Sequence, residues 1–385
     1  MATNDGLRSR VAQRMAAIRA AQTWRTLQSP SGIDLCSNDY LALSKHPHLK
    51  ERMIDAVRHE GCGSTGSRLL RGERDCFGEV ERRFAVFKRT ERSLYFSSGY
   101  LANVAVLTTL PEPGDVIFSD ERNHASLIDG IRLSSAARVV FPHNDVQTLT
   151  SLLGQHHSKR TFIVTESLFS MDGDLAPLTA YAALCRLYGS SLIVDEAHAV
   201  GVYGADGAGL IDPEIADDVV VSVNTAGKAL GVSGAFVAGP SWAIEYLIQL
   251  ARPFMFSTAP PPPVAGALQA SLDLVESEPE RRQTLARLSR NLRSRLVEAG
   301  IPVPHGPSHI IPIVLGDNHR ASAVADRLRG AGFDVRAIRP PSVPLGTARL
   351  RIALNVGISD AVIDQFVRVL AAAVNETIPW PAVSS

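Results

Sequence analysis

The chain reads as an α/β protein: a mostly parallel central sheet covered by helices, followed by a smaller α+β domain. Three observations lead there. Seven short runs rich in β-branched and aromatic residues recur between Ser93 and Gly239: "SLYFSSG", "DVIFSD", "ARVVFPH", "TFIVTES", "SLIVDEAH", "DVVVSVN" and "GAFVAG". Helical patterns such as "HASLIDGIRLSSA" and "LTAYAALCRLYG" separate most of them. Near-continuous apolar strands alternating with helices form parallel sheets buried on both faces. Beyond residue 273 the alternation changes to a charged helix, "HIIPIVLG", a helix, "FDVRAIRPP", "RLRIALN" and a last helix.

Each element follows in order. Residues 1–44 form an arm. "MATNDGLRSRVAQRMAAIRAAQTWR" predicts a polar-to-amphipathic helix rather than an export signal, and "GIDLCSNDYLALS" a short strand and turn. Residues 45–273 form the large α/β domain. Its last two runs, "DVVVSVN" and "GAFVAG", stand too close for a helical crossover, which predicts one antiparallel strand. "TAPPPPVAG" (Thr258–Gly266) breaks the pattern before a long helix, and 274–385 form the small domain.

Composition narrows the function. At 385 residues and 45% hydrophobic, the chain buries a large core. Lys+Arg and Asp+Glu balance at 39 each, so no basic stripe recommends nucleic acid and no polybasic segment an anionic membrane. No apolar stretch is long enough to span a bilayer. Cys36, Cys62, Cys76 and Cys185 show no CxxC spacing and read as reduced thiols, so the expectation is a cytoplasmic globule.

Lysine is scarce, at positions 45, 50, 88, 159 and 228. The first four sit among charged or polar neighbours and read as solvated. Lys228, in "SVNTAGKALGVSG", lies among small and apolar residues. A desolvated lysine can lose its proton, as arginine cannot, and only a neutral amine attacks a carbonyl. A phosphate-binding P-loop would need glycine at 222 and Ser or Thr at 229, where Ser222 and Ala229 stand. Without that loop, the helicase reading of "DEAH" (Asp195–His198) fails as well.

In open α/β sheets, ligands bind beyond the carboxyl ends of the strands. Those ends carry Ser98-Gly99-Tyr100, His124, Ser170, Asp195 with His198, and Thr225 with Lys228. A metal held by His124, Asp195 and His198 would leave Lys228 without a role. Pyridoxal phosphate uses the whole set, because it needs a lysine for its aldehyde, an anion cradle and a carboxylate on its ring nitrogen. Asp195 would keep the pyridinium protonated and His198 would reach the ring oxygen. His124 would stack on the ring, while Thr225 and the amides of Ser98–Tyr100 would hold the phosphate.

These residues, in this order, resemble the α-oxoamine synthase family of fold-type I, aspartate-aminotransferase-like pyridoxal-phosphate enzymes. The likeness runs from "SNDYLALS" to "GTARLRIAL" and includes "GSTGSRLLRG", "RNHASLIDG", "ESLFSMDGDLAPL", "VDEAHAVGVYG", "TAGKALGVSG", "GDNHRA" and "IRPPSVPLGTARLR". The last two favour the member that condenses L-alanine with a pimeloyl thioester, on coenzyme A or acyl carrier protein, for biotin biosynthesis. Glycine C-acetyltransferase, 5-aminolevulinate synthase and sphingoid-base synthases are the alternatives. The resemblance implies that Lys228 bonds to the cofactor and Asp195 holds its nitrogen. It puts His198 and Ser170 at the ring oxygen, Thr225, Gly99 and Tyr100 at the phosphate, and His124 over the ring. It also implies a homodimer in which Thr258 reaches the neighbouring subunit's phosphate, with Arg25, Asn38, Ser342 and Arg351 on substrate. Arg349 and Arg351 share one face of an extended "RLRIAL", so the pattern alone does not choose between them, while the resemblance favours Arg351. Ala42, Ala199, Ser342 and Leu345 depart from the residues the family usually carries, and bear on acyl preference rather than on the cofactor.

Overall fold

The computed structural model describes residues 3–156 and 159–377. Residues 1–2 of the expected arm and 378–385 of the expected small domain lie outside the described residues. The strands in chain order are β1 (Ile33–Asp34), β2 (Arg92–Phe96), β3 (Val116–Asp120), β4 (Ala137–Phe141), β5 (Thr161–Glu166), β6 (Ser191–Asp195), β7 (Val219–Thr225), β8 (Ala235–Gly239), β9 (Ile310–Gly316), β10 (Phe333–Asp334), β11 (Ala337–Ile338) and β12 (Ala348–Ala353). The chain divides into two compact units, one of residues 38–285 and one of 1–37 with 286–385.

In the 38–285 unit, the seven runs read from the sequence become one seven-stranded sheet in the order β2-β8-β7-β6-β5-β3-β4. The pairs β7–β6, β6–β5, β5–β3 and β3–β4 are parallel. β8 pairs antiparallel with both β7 and β2, so it is the one reversed strand, as the short "NTAGKALGVSG" connection predicts. Side chains alternate between two cores, as the strand period of two demands. Ile117, Phe162, Val164, Ile193, Val221 and Val223 enter one. Val116, Phe118, Ile163, Leu192 and Val194 enter the other. Helix Gly99–Thr109 covers the first core through Ala102, Ala105 and Val106. Helix Leu178–Tyr188 covers the second through Tyr181, Ala182 and Cys185.

One residue of this unit differs from the sequence reading, and one departure from the family pattern gains a physical meaning. Lys88 is not solvated: its side chain is buried, with Nζ 2.5 Å from Glu196 Oε2 and bonded also to the Ala208 carbonyl. Helix Asp75–Lys88 turns its last residue inward because Glu196 is fully buried and needs a counter-charge. Lys45, Lys50 and Lys159 are exposed, as expected. Ala42 takes a left-handed backbone (φ 53°), where an L-residue costs on the order of 1 kcal/mol and glycine does not. The Asp39 carboxylate offsets this by accepting from the Leu43 N–H (2.9 Å) and the Ser44 hydroxyl (2.6 Å).

In the other unit, helix Thr3–Ala20 is exposed along its described side chains, apart from half-buried Ile18, so it lacks the sharp apolar face of the amphipathic helix expected. β9, β12 and β11 form an antiparallel sheet with β12 in the centre. Pro312 is tolerated in β9 because that strand is at the edge. "FDVRAIRPP" does not make one strand. Phe333–Asp334 pairs with Ile33–Asp34, whereas Ala337–Ile338 joins β12, and Val335–Arg336 carries the chain between the two sheets. Among the described residues, no helix is long and apolar enough to cross a membrane.

Candidate active site

Parallel pairing brings the candidate residues to one edge of the 38–285 sheet. β3, β5, β6 and β7 are consecutive neighbours running the same way. Their carboxyl ends therefore lie across roughly 15 Å, and they release His124, Ser170, Asp195 with His198, and Thr225 with Lys228. Reversed β8 makes β2 parallel to β7, so Ser98, Gly99 and Tyr100 emerge at the same edge.

Lys228 is held by a tight loop between β7 and β8. Ala226 N–H donates to the Gly234 carbonyl (2.8 Å), and Gly231 N–H to the Lys228 carbonyl (2.8 Å). Gly231 has φ 67°, and a Cβ there would lie 2.6 Å from Ser44 N, so only glycine closes this turn. Half-buried Lys228 places Nζ 2.8 Å from Nε2 of His198, whose Nδ1 is 2.6 Å from the Tyr40 hydroxyl. Tyr40 commits its proton to Asn38 Oδ1 at 2.9 Å.

A second chain of contacts runs from Asp195 to His124. Buried Asp195 accepts the Ala197 N–H on Oδ1 (2.8 Å) and Asn103 Nδ2 on Oδ2 (2.7 Å). Asn103 Nδ2 also donates to Ser126 Oγ (2.9 Å), which is 2.8 Å from His124 Nδ1. The Asp195 carbonyl receives Ser167 N–H (2.9 Å), which seats the loop carrying Ser170. Beside them Glu166 is buried next to Asp195 across the β5–β6 pair, and among the described residues its Oε1 has no hydrogen-bond partner. Burial, reinforced by the Asp195 charge, pushes the Glu166 carboxyl up to about 8, so it carries a proton at neutral pH.

Helix geometry leaves the first N–H groups of Gly99–Thr109 without helical partners, and Ser98 Oγ satisfies Leu101 N–H (3.2 Å). The N–H groups of Gly99 and Tyr100 face outward from the positive end of the helix, as an anion requires. A Cβ at Gly99 would lie 3.5 Å from Thr225 Oγ1, which keeps Thr225 close to that helix start. Tyr100 is exposed, with its hydroxyl bonded to Asp129. Thr258 is exposed in the loop before helix Pro263–Ser277.

The remaining candidates belong to the other unit. Arg25 and Ser342 line one cavity of about 390 Å³ with Arg329, Arg336 and Arg339, and Arg351 is not among the lining residues. Arg349 and Arg351 are both buried on β12, opposite Val314 and Pro312 of β9, on one face as the alternation predicts. The Arg351 charge adds to burial in holding His309 down to about 3.

Sequence reasoning missed four members of this constellation: Tyr40, Asn103, Ser126 and Glu166. Tyr40 and Glu166 lie inside quoted motifs, "SNDYLALS" and "ESLFSMDGD". Asn103 sits one helical turn inside Gly99–Thr109 and Ser126 is the second residue of Ala125–Leu133, and the sequence carries no signal that they face the site.

The residues of the 38–285 unit fit pyridoxal phosphate. They supply an amine on a fixed loop, a carboxylate held by two N–H donors, two imidazoles, and unpaired amides at a helix start beside a hydroxyl. Among the described residues, no group of three or more His, Cys, Asp or Glu side chains is disposed to hold a metal.

Comparison with known proteins agrees with this geometry. The aminotransferase class I and II family profile matches residues 30–370. An 8-amino-7-oxononanoate synthase of Anaeromyxobacter dehalogenans is 46% identical over 348 residues, 90% of this chain and 87% of that protein. One from Geobacter sulfurreducens is 45% identical over 88% of this chain and 87% of that protein. Among solved structures, serine palmitoyltransferase of Sphingomonas wittichii aligns with a TM-score of 0.89 at 30% identity, over 96% of this chain and 97% of that one. The 8-amino-7-oxononanoate synthase of Francisella tularensis aligns with a TM-score of 0.78 at 31% identity, over 90% and 98%.

Proposed function

The chain belongs to the α-oxoamine synthase family of fold-type I pyridoxal-phosphate enzymes, and on that premise we propose that it condenses L-alanine with a pimeloyl thioester, releasing CO₂ and the carrier thiol, to give 8-amino-7-oxononanoate. The observation that carries this reading is the convergence of Lys228, Asp195, His198 and His124 at adjacent carboxyl ends of one sheet, in a chain 46% identical to such synthases. Serine palmitoyltransferase has the higher TM-score, but backbone likeness is shared across the family. The closer sequence match, 42–46% against 27–30%, favours alanine over serine.

The cofactor, when bound, supplies an electron sink for charge developing at the amino-acid Cα. Lys228 would hold it covalently, and its freed amine would take the Cα proton of alanine on Nζ. Asp195 keeps a negative charge against the ring nitrogen and so holds the proton there. His198 and Ser170 donate toward the ring oxygen, and Gly99, Tyr100 and Thr225 bind the phosphate. His124 covers the ring and donates to the thioester carbonyl. Arg351 takes the alanine carboxylate, while Arg25, Asn38 and Ser342 contact substrate. The working form in this reading is a cytoplasmic homodimer in which Thr258 completes the neighbouring phosphate site, and the thioester rides on coenzyme A or acyl carrier protein.

Arginine binds a carboxylate through a planar two-pronged fork, and lysine offers a point charge. Arg351→Lys is therefore expected to weaken alanine binding roughly tenfold to several hundredfold and to leave cofactor binding unchanged. Arg349→Lys should do much less, because Arg349 Nε is already used on the Thr347 carbonyl (3.0 Å). Titrating alanine, glycine and serine into both variants and following the cofactor spectrum checks this. A larger loss in Arg349→Lys would move the carboxylate site to that residue.

A further inference from the structure

One half-buried titratable group outside the roles above joins two loops of the site. His143 follows β4, with Nδ1 2.9 Å from Asp120 Oδ1 and Nε2 2.5 Å from Asp174 Oδ2. Its ring stands edge-on to Phe169, 4.4 Å between centroids and 89° between planes. Carboxylates accept, so both ring nitrogens must donate, and only the imidazolium does that. Burial alone would lower its pKa, but the two hydrogen-bonded carboxylates outweigh burial and lift it to about 9.

The two carboxylates belong to different loops. Asp120 ends β3 and organises the turn that delivers His124: Oδ1 accepts Arg122 N–H (2.8 Å), Oδ2 accepts Asn144 N–H (2.9 Å), and its carbonyl accepts Asn123 N–H (3.2 Å). Asp174 lies in the loop that delivers Ser170, a narrow excursion closed by a Leu168–Leu175 bridge and by Phe169 N–H on the Asp174 carbonyl (3.0 Å). On the inner side the two loops meet at Glu166, which receives the backbone N–H of Ser170 (3.2 Å) and lies beside the backbone of His124. Elsewhere they are joined by His143, by its neighbour Asn144, whose Nδ2 reaches Asp174 Oδ2 at 3.3 Å, and by an ion pair between Arg122 and Asp172 (3.1 Å).

We infer that His143 is a positioning residue: its imidazolium, gripping Asp120 and Asp174, locks the His124 turn to the Ser170 loop and fixes both side chains in one arrangement. Among the described residues neither carboxylate is paired with another cation, and Asp120 is fully buried, so without His143 that carboxylate loses its counter-charge and the loops lose a tie that the Arg122–Asp172 pair does not replace at Asp120. The inference rests on the proposed function only in taking His124 and Ser170 to face the cofactor.

The test compares holoenzyme with His143→Gln and Asp174→Asn. Glutamine cannot donate to both sides from two fixed ring positions. Asp174, about a third exposed, is a milder change that leaves the core intact. Both variants are expected to keep the borohydride-reducible chromophore on Lys228, to lose roughly tenfold to a hundredfold in kcat, and to hold the alanine KM near the wild-type value. The pH midpoint of the cofactor absorbance should move, because Ser170 no longer meets the ring oxygen in a fixed position. The double variant should be no worse than His143→Gln alone, since both changes cut one link. A wild-type kcat and pH midpoint in both variants, even with a lowered melting temperature, would reduce His143 to a structural residue. A wild-type protein with no reducible chromophore on Lys228 would instead remove the cofactor reading, and this inference with it.

Discussion

Lys228→Ala is expected to leave a folded protein that holds no cofactor covalently and turns over alanine at least roughly ten-thousandfold more slowly. The loss is large because one side chain performs two tasks, as the nucleophile that anchors the cofactor and as the base at Cα. The fold should survive. Lys228 is half-buried, its loop is closed by backbone hydrogen bonds and by Gly231, and the His198 Nε2 that it contacts can turn to water. The cofactor absorbance, its reduction by borohydride and a melting curve check the three parts of this expectation. Near-normal turnover would remove the lysine, and with it the cofactor, from the mechanism.

Asp195→Asn should be nearly as damaging. The carboxylate accepts from Ala197 N–H and from Asn103 Nδ2, so both oxygens are committed as acceptors. An asparagine must turn its amide NH₂ toward one of these donors or toward the ring nitrogen, and it brings no charge to keep a proton there. Turnover is expected to fall by roughly a thousandfold or more, the scale on which a preorganised charge at a reacting group acts. Phosphate contacts remain, so the cofactor should still bind. Glu166 sharpens the case. Part of its elevation to about 8 comes from the Asp195 charge, so in the variant it should ionise more readily at neutral pH. A negative charge then persists nearby, but on an adjacent strand. Stopped-flow absorbance after mixing with alanine reports whether that displaced charge serves. Unchanged kinetics would show that Asp195 is not the ring partner.

Much of the sheet was legible because its strands announce themselves. "TFIVTE" and "SLIVD" are apolar on both faces, the pattern of a strand covered by helices on both sides, and the brevity of "NTAGKALGVSG" forces a reversal. What the sequence does not carry is which polar residues on a helix turn inward. Asn103 and Ser126 bridge Asp195 to His124 only because the helices that bear them pack directly against each other, with Gly130 of one against Leu107 and Asn103 of the other. Lys88 misled for the same reason. Its charged neighbours point to solvent, but a buried Glu196 more than a hundred residues away decides its side. "FDVRAIRPP" looked like one strand because local pattern cannot show two partners in different sheets. His143 sits in "FPHND", an ordinary loop sequence, and its significance depends on two carboxylates brought in from Asp120 and Asp174.

The central claim is the reaction itself, and product analysis tests it most directly. The purified protein, loaded with pyridoxal phosphate, is incubated with a pimeloyl thioester and with alanine labelled in its carboxyl group, and products are read by mass spectrometry. Glycine and serine are run in parallel. The account predicts 8-amino-7-oxononanoate from alanine, free of the label, with the label recovered as CO₂ in equal amount. A product that retains the label, or turnover with glycine or serine in preference to alanine, would contradict it.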